Sequence, residues 1–211
     1  MELKKMLEIL KCEGYSKEII YNESEIKEVP SYSEDSYYFL IKEDESWRFG
    51  YINLERGKNE EETIGIYESL ETGSNRFFLD RLKKYYLNRN IAKAKNDTKI
   101  IELLIKNELT VDNLLDALNH CNIPTSYIST QNIERHSINL HKDGTGWTSE
   151  YVDINRISHR KTISEPLSQC ISYAFARIVY LYLLDKIMEK YFNGIKSFDY
   201  FTAEEIASFT S

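Results

Sequence analysis

Residues 42–56 match residues 142–156 at a constant offset of 100, without a gap, and this constrains the fold more than any other feature. Lys42 and Lys142, Trp47 and Trp147, Tyr51 and Tyr151, and Arg56 and Arg156 coincide. The chain has only two tryptophans, and both fall inside the match. A fixed internal period points to repeated structural units, and missing it miscasts the whole fold. Two such units favour a broad binding surface over a single reaction centre.

The match extends outward. An amphipathic stretch precedes each core, Leu3–Leu10 before Cys12 and Leu114–Leu118 before Cys121. A longer apolar helix follows each core, with Arg81-Leu82 matching Arg177-Ile178 at an offset of 96. Between these helices, Tyr37–Lys42 and Trp47–Leu54 flank the polar turn Glu43-Asp44-Glu45-Ser46. Likewise Ser137–Lys142 and Trp147–Ile154 flank Asp143-Gly144-Thr145-Gly146. Each reads as an antiparallel hairpin, the second strengthened by its Asp-Gly pair. Thr63–Tyr67 and Lys161–Ile163 are expected third strands, and Ile19–Tyr21 a short additional strand.

The predicted architecture is α+β: two tandem copies of a helix, a small antiparallel sheet and a second helix. A first unit spans 1–90, a helical linker 91–108, a second unit 109–192, and a tail with a short helix 193–211. Gly14 is expected to stop the first helix, Thr110 to start the helix of copy two, and Thr202 with Glu205 to form a capping box.

Net charge is −7. Acidity disfavours nucleic-acid binding, which needs phosphate neutralisation by Lys and Arg. It suits docking on a basic partner. The longest apolar stretch, near Ile178–Leu184, is far shorter than the ~20 residues that span a bilayer, so no membrane association is expected. The start, Met1-Glu2-Leu3-Lys4-Lys5-Met6, lacks a signal-peptide core. Three widely spaced cysteines fit neither a disulfide framework nor a zinc site. The reading is a cytoplasmic protein, with Cys12 and Cys121 as small buried fillers at equivalent helix ends.

Motifs for catalysis are missing from the sequence. There is no glycine-rich phosphate loop, nucleophile elbow or zinc-protease helix, so no cofactor or metal is expected and the protein is read as no enzyme. His136 and His141 project to opposite sides of a strand. Cys170 reads as core. The acidic runs Glu43-Asp44-Glu45 and Glu60-Glu61-Glu62 are expected in turns, as soluble tips or as attraction for a basic surface. By strand alternation, Ile138 and Leu140 oppose Ser137, Asn139 and His141, giving copy two a polar free face. In copy one, Tyr37, Phe39, Ile41, Phe49 and Tyr51 are expected on one free face, a patch large for a monomer surface. Copy two, a homodimer or a partner protein should cover it.

The order Glu13-Gly14-Tyr15, Ser36-Tyr37-Tyr38-Phe39-Leu40, acidic turn, Trp47, Glu55-Arg56-Gly57, Ser69-Leu70-Glu71 and Phe78-Leu79-Asp80-Arg81-Leu82 resembles the small bacterial immunity proteins of polymorphic secreted toxins. It covers most of residues 3–88 and, more weakly, 112–186. Copy two departs from it at Asn155-Arg156-Ile157, and with Pro124 near the place of Tyr15. The resemblance implies a cytosolic, non-enzymatic inhibitor that binds a cognate toxin domain. The expected partner-binding residues are Tyr37, Phe39, Trp47, Phe49 and Tyr51, with Glu43, Asp44 and Glu45. The alternatives are an adaptor or regulatory module with another partner, or a small enzyme using His141, His159 and Arg156.

Overall fold

The computed structural model describes residues 3–30, 36–54, 60–104, 109–130, 133–159 and 164–211. The chain is α+β, with one antiparallel and one mixed sheet. It divides into two compact units, Met1–Tyr86 and Leu87–Ser211.

Unit 1 opens with α1 (Leu3–Cys12), whose Met6, Leu7, Ile9 and Leu10 are buried. Their spacing places them on one helical face. Gly14 ends α1 with φ +94°, and the Gly14 and Tyr15 amides bond back to the carbonyls of Lys11 and Leu10. This pair of bonds is a Schellman stop, which needs a left-handed residue. Five strands follow: β1 (Ile19–Tyr21), β2 (Glu25–Glu28), β3 (Ser36–Glu43), β4 (Ser46–Asn53) and β5 (Glu60–Tyr67). They form one antiparallel sheet in chain order. Then α2 (Leu70–Leu82) starts at Ser69, whose hydroxyl accepts from the Thr72 amide. It passes into a π-helical turn, Lys83–Leu87. The core joins Ile26, Leu40, Trp47 and Phe49 of the sheet to Phe77 of α2.

Strand β2 was not anticipated, and Glu60-Glu61-Glu62 lies in β5 rather than in a turn. The glutamates tolerate a strand because β5 is an edge, where side chains reach water.

Unit 2 contains α3 (Asn88–Lys95), α4 (Thr98–Leu104) and α5 (Val111–His120). The stretch expected as one linker helix thus holds two, broken at Asp97, whose carboxylate accepts from the Lys99 and Ile100 amides. Thr110 caps α5 with a reciprocal box through Asn113. Strands β6 (Ile128–Ser129), β7 (Ser137–Asp143), β8 (Gly146–Val152) and β9 (Ser158–His159) form a sheet in chain order, β6 and β7 running parallel. The third strand expected at Lys161–Ile163 lies outside the described residues.

Helix α6 (Leu167–Tyr191) packs on β7 and β8, and α7 (Ala203–Thr210) starts at the Thr202–Glu205 capping box. By length and composition alone α6 is long and apolar enough to cross a membrane, a longer apolar span than the stretch near Ile178–Leu184 taken from the sequence. Here it is the central helix of unit 2, with Ile171, Ala174, Phe175, Ile178 and Leu184 fully buried. A helix apolar all round serves either purpose.

The cysteine expectation is corrected too. Cys12 is exposed and Cys121 half-buried; only Cys170 is core. Asn122 (φ +55°) ends α5 as Gly14 ends α1, with the Asn122 and Ile123 amides bonding to Asn119 and Leu118. The left-handed stops are Gly14, two residues after Cys12, and Asn122, one after Cys121, so the two cysteines do not occupy the same position relative to their helix stops.

Candidate functional site

Two residues, Asp44 and Glu45, turn the first hairpin, with Glu43 opposite Ser46 and Lys42 opposite Trp47. Directly paired residues share a face. Odd-numbered positions of β3 therefore lie with even-numbered positions of β4. Leu40 pairs with Phe49 and Tyr38 with Tyr51, on the helix-covered face. Phe39 pairs with Gly50 and Tyr37 with Ile52, on the outer face.

The expected aromatic cluster is thus split. Trp47 (6 % exposed) and Phe49 (0 %) are core residues and offer a partner nothing. Tyr51 stacks on Tyr38, with ring centres 5.3 Å apart, and its hydroxyl donates to Glu62. That bond to a carboxylate raises the Tyr51 hydroxyl above its ordinary value, helped by partial desolvation. Tyr37, Phe39 and Ile41 remain together on the outer face, joined by Arg48 and Ile52 of β4 and Ile66 of β5.

This outer face covers itself. The Arg48 guanidinium lies 4.9 Å from the Phe39 ring centre, and the Lys27 ammonium 5.1 Å from that of Tyr37. Both are cation–π distances. Arg48 is anchored by Glu43 (2.7 Å) and Glu61. These two carboxylates outweigh the effect of desolvation and hold the guanidinium above its usual range. Opposite Phe39 sits Gly50, where a Cβ would meet the Glu62 carbonyl oxygen at 2.4 Å and the Phe39 ring at 2.8 Å. Phe39 fills the space that a side chain at Gly50 would occupy, and is only 3 % exposed as a result. Around it Tyr37, Ile41 and Ile52 are half-buried, and a shallow depression of about 110 Å³ opens among them, bordered by Glu25, Lys27 and Glu61. Glu43, Asp44 and Glu45 are exposed at the hairpin tip.

Beneath the sheet lies a buried charge cluster. Glu28 is fully buried and accepts from Tyr15 (2.6 Å), Lys17 (3.2 Å), Arg81 (3.0 Å) and the Tyr38 amide (3.0 Å). Burial alone would raise its pKa; Arg81, Tyr15, Lys17 and Tyr38 outweigh that and lower it. Arg81, also fully buried, sits over the Tyr38 ring with its Cζ 3.3 Å from the ring centre. Unit 2 has a comparable centre. Asp185 accepts from Tyr127 (2.8 Å) and from the amide and hydroxyl of Ser197 (3.0 and 2.6 Å), and meets His136 Nε2 at 3.0 Å. Burial pushes the Asp185 carboxyl up, but the bond and charge of His136, aided by Ser197, hold it well below the carboxylate range. Every carboxylate oxygen in both clusters has a partner, which marks them as internal structure.

The residues of the enzymatic alternative do not converge. His141 pairs with Thr148 on one face of its sheet, while His159 pairs with Tyr151 on the other and meets Asp153 at 3.0 Å. Arg156 is exposed in the intervening turn with φ +64°. No His, Cys, Asp and Glu grouping among the described residues could hold a metal ion.

The face carrying His141 departs from expectation. Ser129, Ser137, Asn139, Thr148 and Glu150 are buried rather than open to solvent. Most are bonded locally: Ser129 bonds Ser137 and Asn139, Asn139 meets His141, and Ser158 donates to Glu150 Oε1 at 2.7 Å, while Glu150 Oε2 is buried without a hydrogen-bond partner among the described residues. Val152 lies on this face opposite Ser137, while Tyr151 lies with Ile138 beneath α6. Strand alternation separated polar from apolar positions but could not show that both sides are covered.

No protein-family model, characterised protein or solved structure matches this chain.

Proposed function

We propose that this chain is a non-enzymatic, cytoplasmic immunity protein that binds and neutralises a cognate bacterial toxin domain. One observation carries the reading: the outer face of the first sheet, where half-buried Tyr37, Ile41 and Ile52 surround the Phe39–Arg48 stack. Glu43, Asp44, Glu45, Glu60, Glu61 and Glu62 are exposed on the same hairpin and neighbouring strand. Aromatic and arginine anchors inside a charged rim are how protein interfaces concentrate binding energy. An acidic rim steers a basic partner. Of the residues first expected to bind, Tyr37, Glu43, Asp44 and Glu45 stay in the proposal. Phe39 supports the face from within.

We further propose that the two units are copies of one ancestral unit. Trp47 and Trp147 each hold the second position of the second hairpin strand, opposite Lys42 and Lys142. Asp44 (φ +52°) and Gly144 (φ +61°) match in their turns. Buried Met6, Ile9 and Leu10 correspond to Leu114, Ala117 and Leu118 when the helix ends are aligned. The copies diverge where β6 runs parallel to β7. Arg56, matched to Arg156, lies outside the described residues.

Co-expression tests the function. The chain should co-purify with the C-terminal domain of a secreted toxin encoded beside it and rescue cells from that domain. A chain that neither binds nor rescues ends the immunity reading. Binding of an unrelated protein without rescue favours the adaptor alternative.

A further inference from the structure

Strand β5 is an eight-residue edge of the first sheet, and among the described residues no strand lies on its far side. Alternate backbone N–H and C=O groups of an edge strand point outward and are open to pairing. Its side chains divide along its length. Glu60, Glu61 and Glu62 are exposed at one end. Ile64 (37 % exposed) and Ile66 (67 %) follow toward the other. Natural edges are guarded by charge, bulges or shortness. β5 has charge and a bulge opposite Phe49 and Gly50, yet it is long and holds two isoleucines in water.

We propose that β5 is a strand-addition site. An extended segment of a partner protein pairs antiparallel with Glu60–Tyr67, its basic side chains beside Glu60–Glu62 and its apolar ones beside Ile64 and Ile66. The proposal rests on the reading that the chain binds a protein. Glu61 and Ile66 belong to the outer face, so one partner reaches both face and edge. A second copy of this chain fits poorly. Antiparallel self-pairing over the same span sets Glu61 against Ile66 and Glu62 against Gly65, so carboxylates meet apolar groups. In-register parallel pairing sets the glutamates against one another. Like charges directly opposite destabilise a sheet, whereas lysine or arginine there stabilises it.

The test uses the full chain and a synthetic eight-residue peptide, valine–threonine in its first half and lysine-rich in its second. Binding is followed by fluorescence anisotropy and hydrogen exchange. The peptide should bind and slow exchange of the 60–67 amides. Ile66→Lys and Glu62→Lys, checked for native melting, should each weaken it about tenfold or more. N-methylating one alternate set of peptide amides should abolish binding, and the other set should be tolerated, because only one set faces the sheet. Equal tolerance of both sets, unprotected β5 amides, or equal binding of a glutamate-rich peptide would overturn the proposal. So would dimerisation of the free chain through β5. If Ile66→Lys still captures the toxin domain with β5 unprotected, strand addition fails and the immunity reading stands. If the peptide adds to β5 but no toxin domain binds, the immunity reading fails and strand addition stands.

Discussion

Arg81 and Glu28 are both fully buried, 53 residues apart in sequence, so each is the other's reason for being there. Removing one partner of a buried pair leaves an uncompensated charge and costs about 3–5 kcal/mol. Arg81→Met should lower stability by about that amount, and adding Glu28→Leu should restore much of it, read from urea midpoints. Glu28 and Asp185 also set the response to acid. Both folded pKa values are depressed, so their stabilisation is present above the unfolded carboxylate range near about 4 and is lost as pH falls below it. Urea midpoints should fall steeply from about pH 5 to pH 3, and Asp185→Asn should be less stable at pH 7 but flatter across that window. An unchanged slope in that variant would mean Asp185 does not carry the acid response. Neither cluster was legible in the sequence. Glu28 reads as a surface residue until Tyr15, Lys17 and Arg81 are brought together by the fold, and for the same reason β2 went unrecognised.

At the level of elements, local signals were legible where the chemistry is local. The Thr110 and Thr202 caps, the Gly14 stop, both hairpins and α6 follow from residues a few positions apart. The cap at Thr202 should be worth about 1 kcal/mol, measurable as the loss in Thr202→Ala. Gly14→Ala should cost a comparable amount, because an L side chain at φ +94° is strained, whereas Asn122→Gly should be neutral or mildly stabilising. What failed was the assignment of faces. Strand alternation is visible in one strand, but which residues share a face across a hairpin follows from the register. With Lys42 opposite Trp47, odd positions of β3 lie with even positions of β4, so Phe49 belongs with Leu40 in the core and Phe39 with Arg48 outside it. Both are buried, by different neighbours. Phe49→Ala and Phe39→Ala should each destabilise folding, by about 3–5 kcal/mol for the core ring. Tyr37→Ala should leave the melt close to wild type and weaken partner binding. If Phe39→Ala melts like wild type, the Arg48 stack is not holding the face.

For the whole molecule, the proposed repeat rests on the stretch where Trp47 and Trp147 align; the parallel β6 and the second covered face of the other sheet have no local signature. The acidity of the chain bears on association rather than fold. Charge reversal at Glu43, Asp44 and Glu45 together should slow association with a basic partner and flatten its dependence on salt, with little change in dissociation. The central claim is that the outer face of the first sheet holds a toxin domain. The direct measurement is the affinity of the full chain for that domain, wild type against Tyr37→Ala and Ile52→Arg, by calorimetry, with melting curves alongside. The account predicts tight wild-type binding, a loss of about 2 kcal/mol or more in each variant, and melts near wild type. Wild-type affinity in both variants would place the partner elsewhere and contradict it.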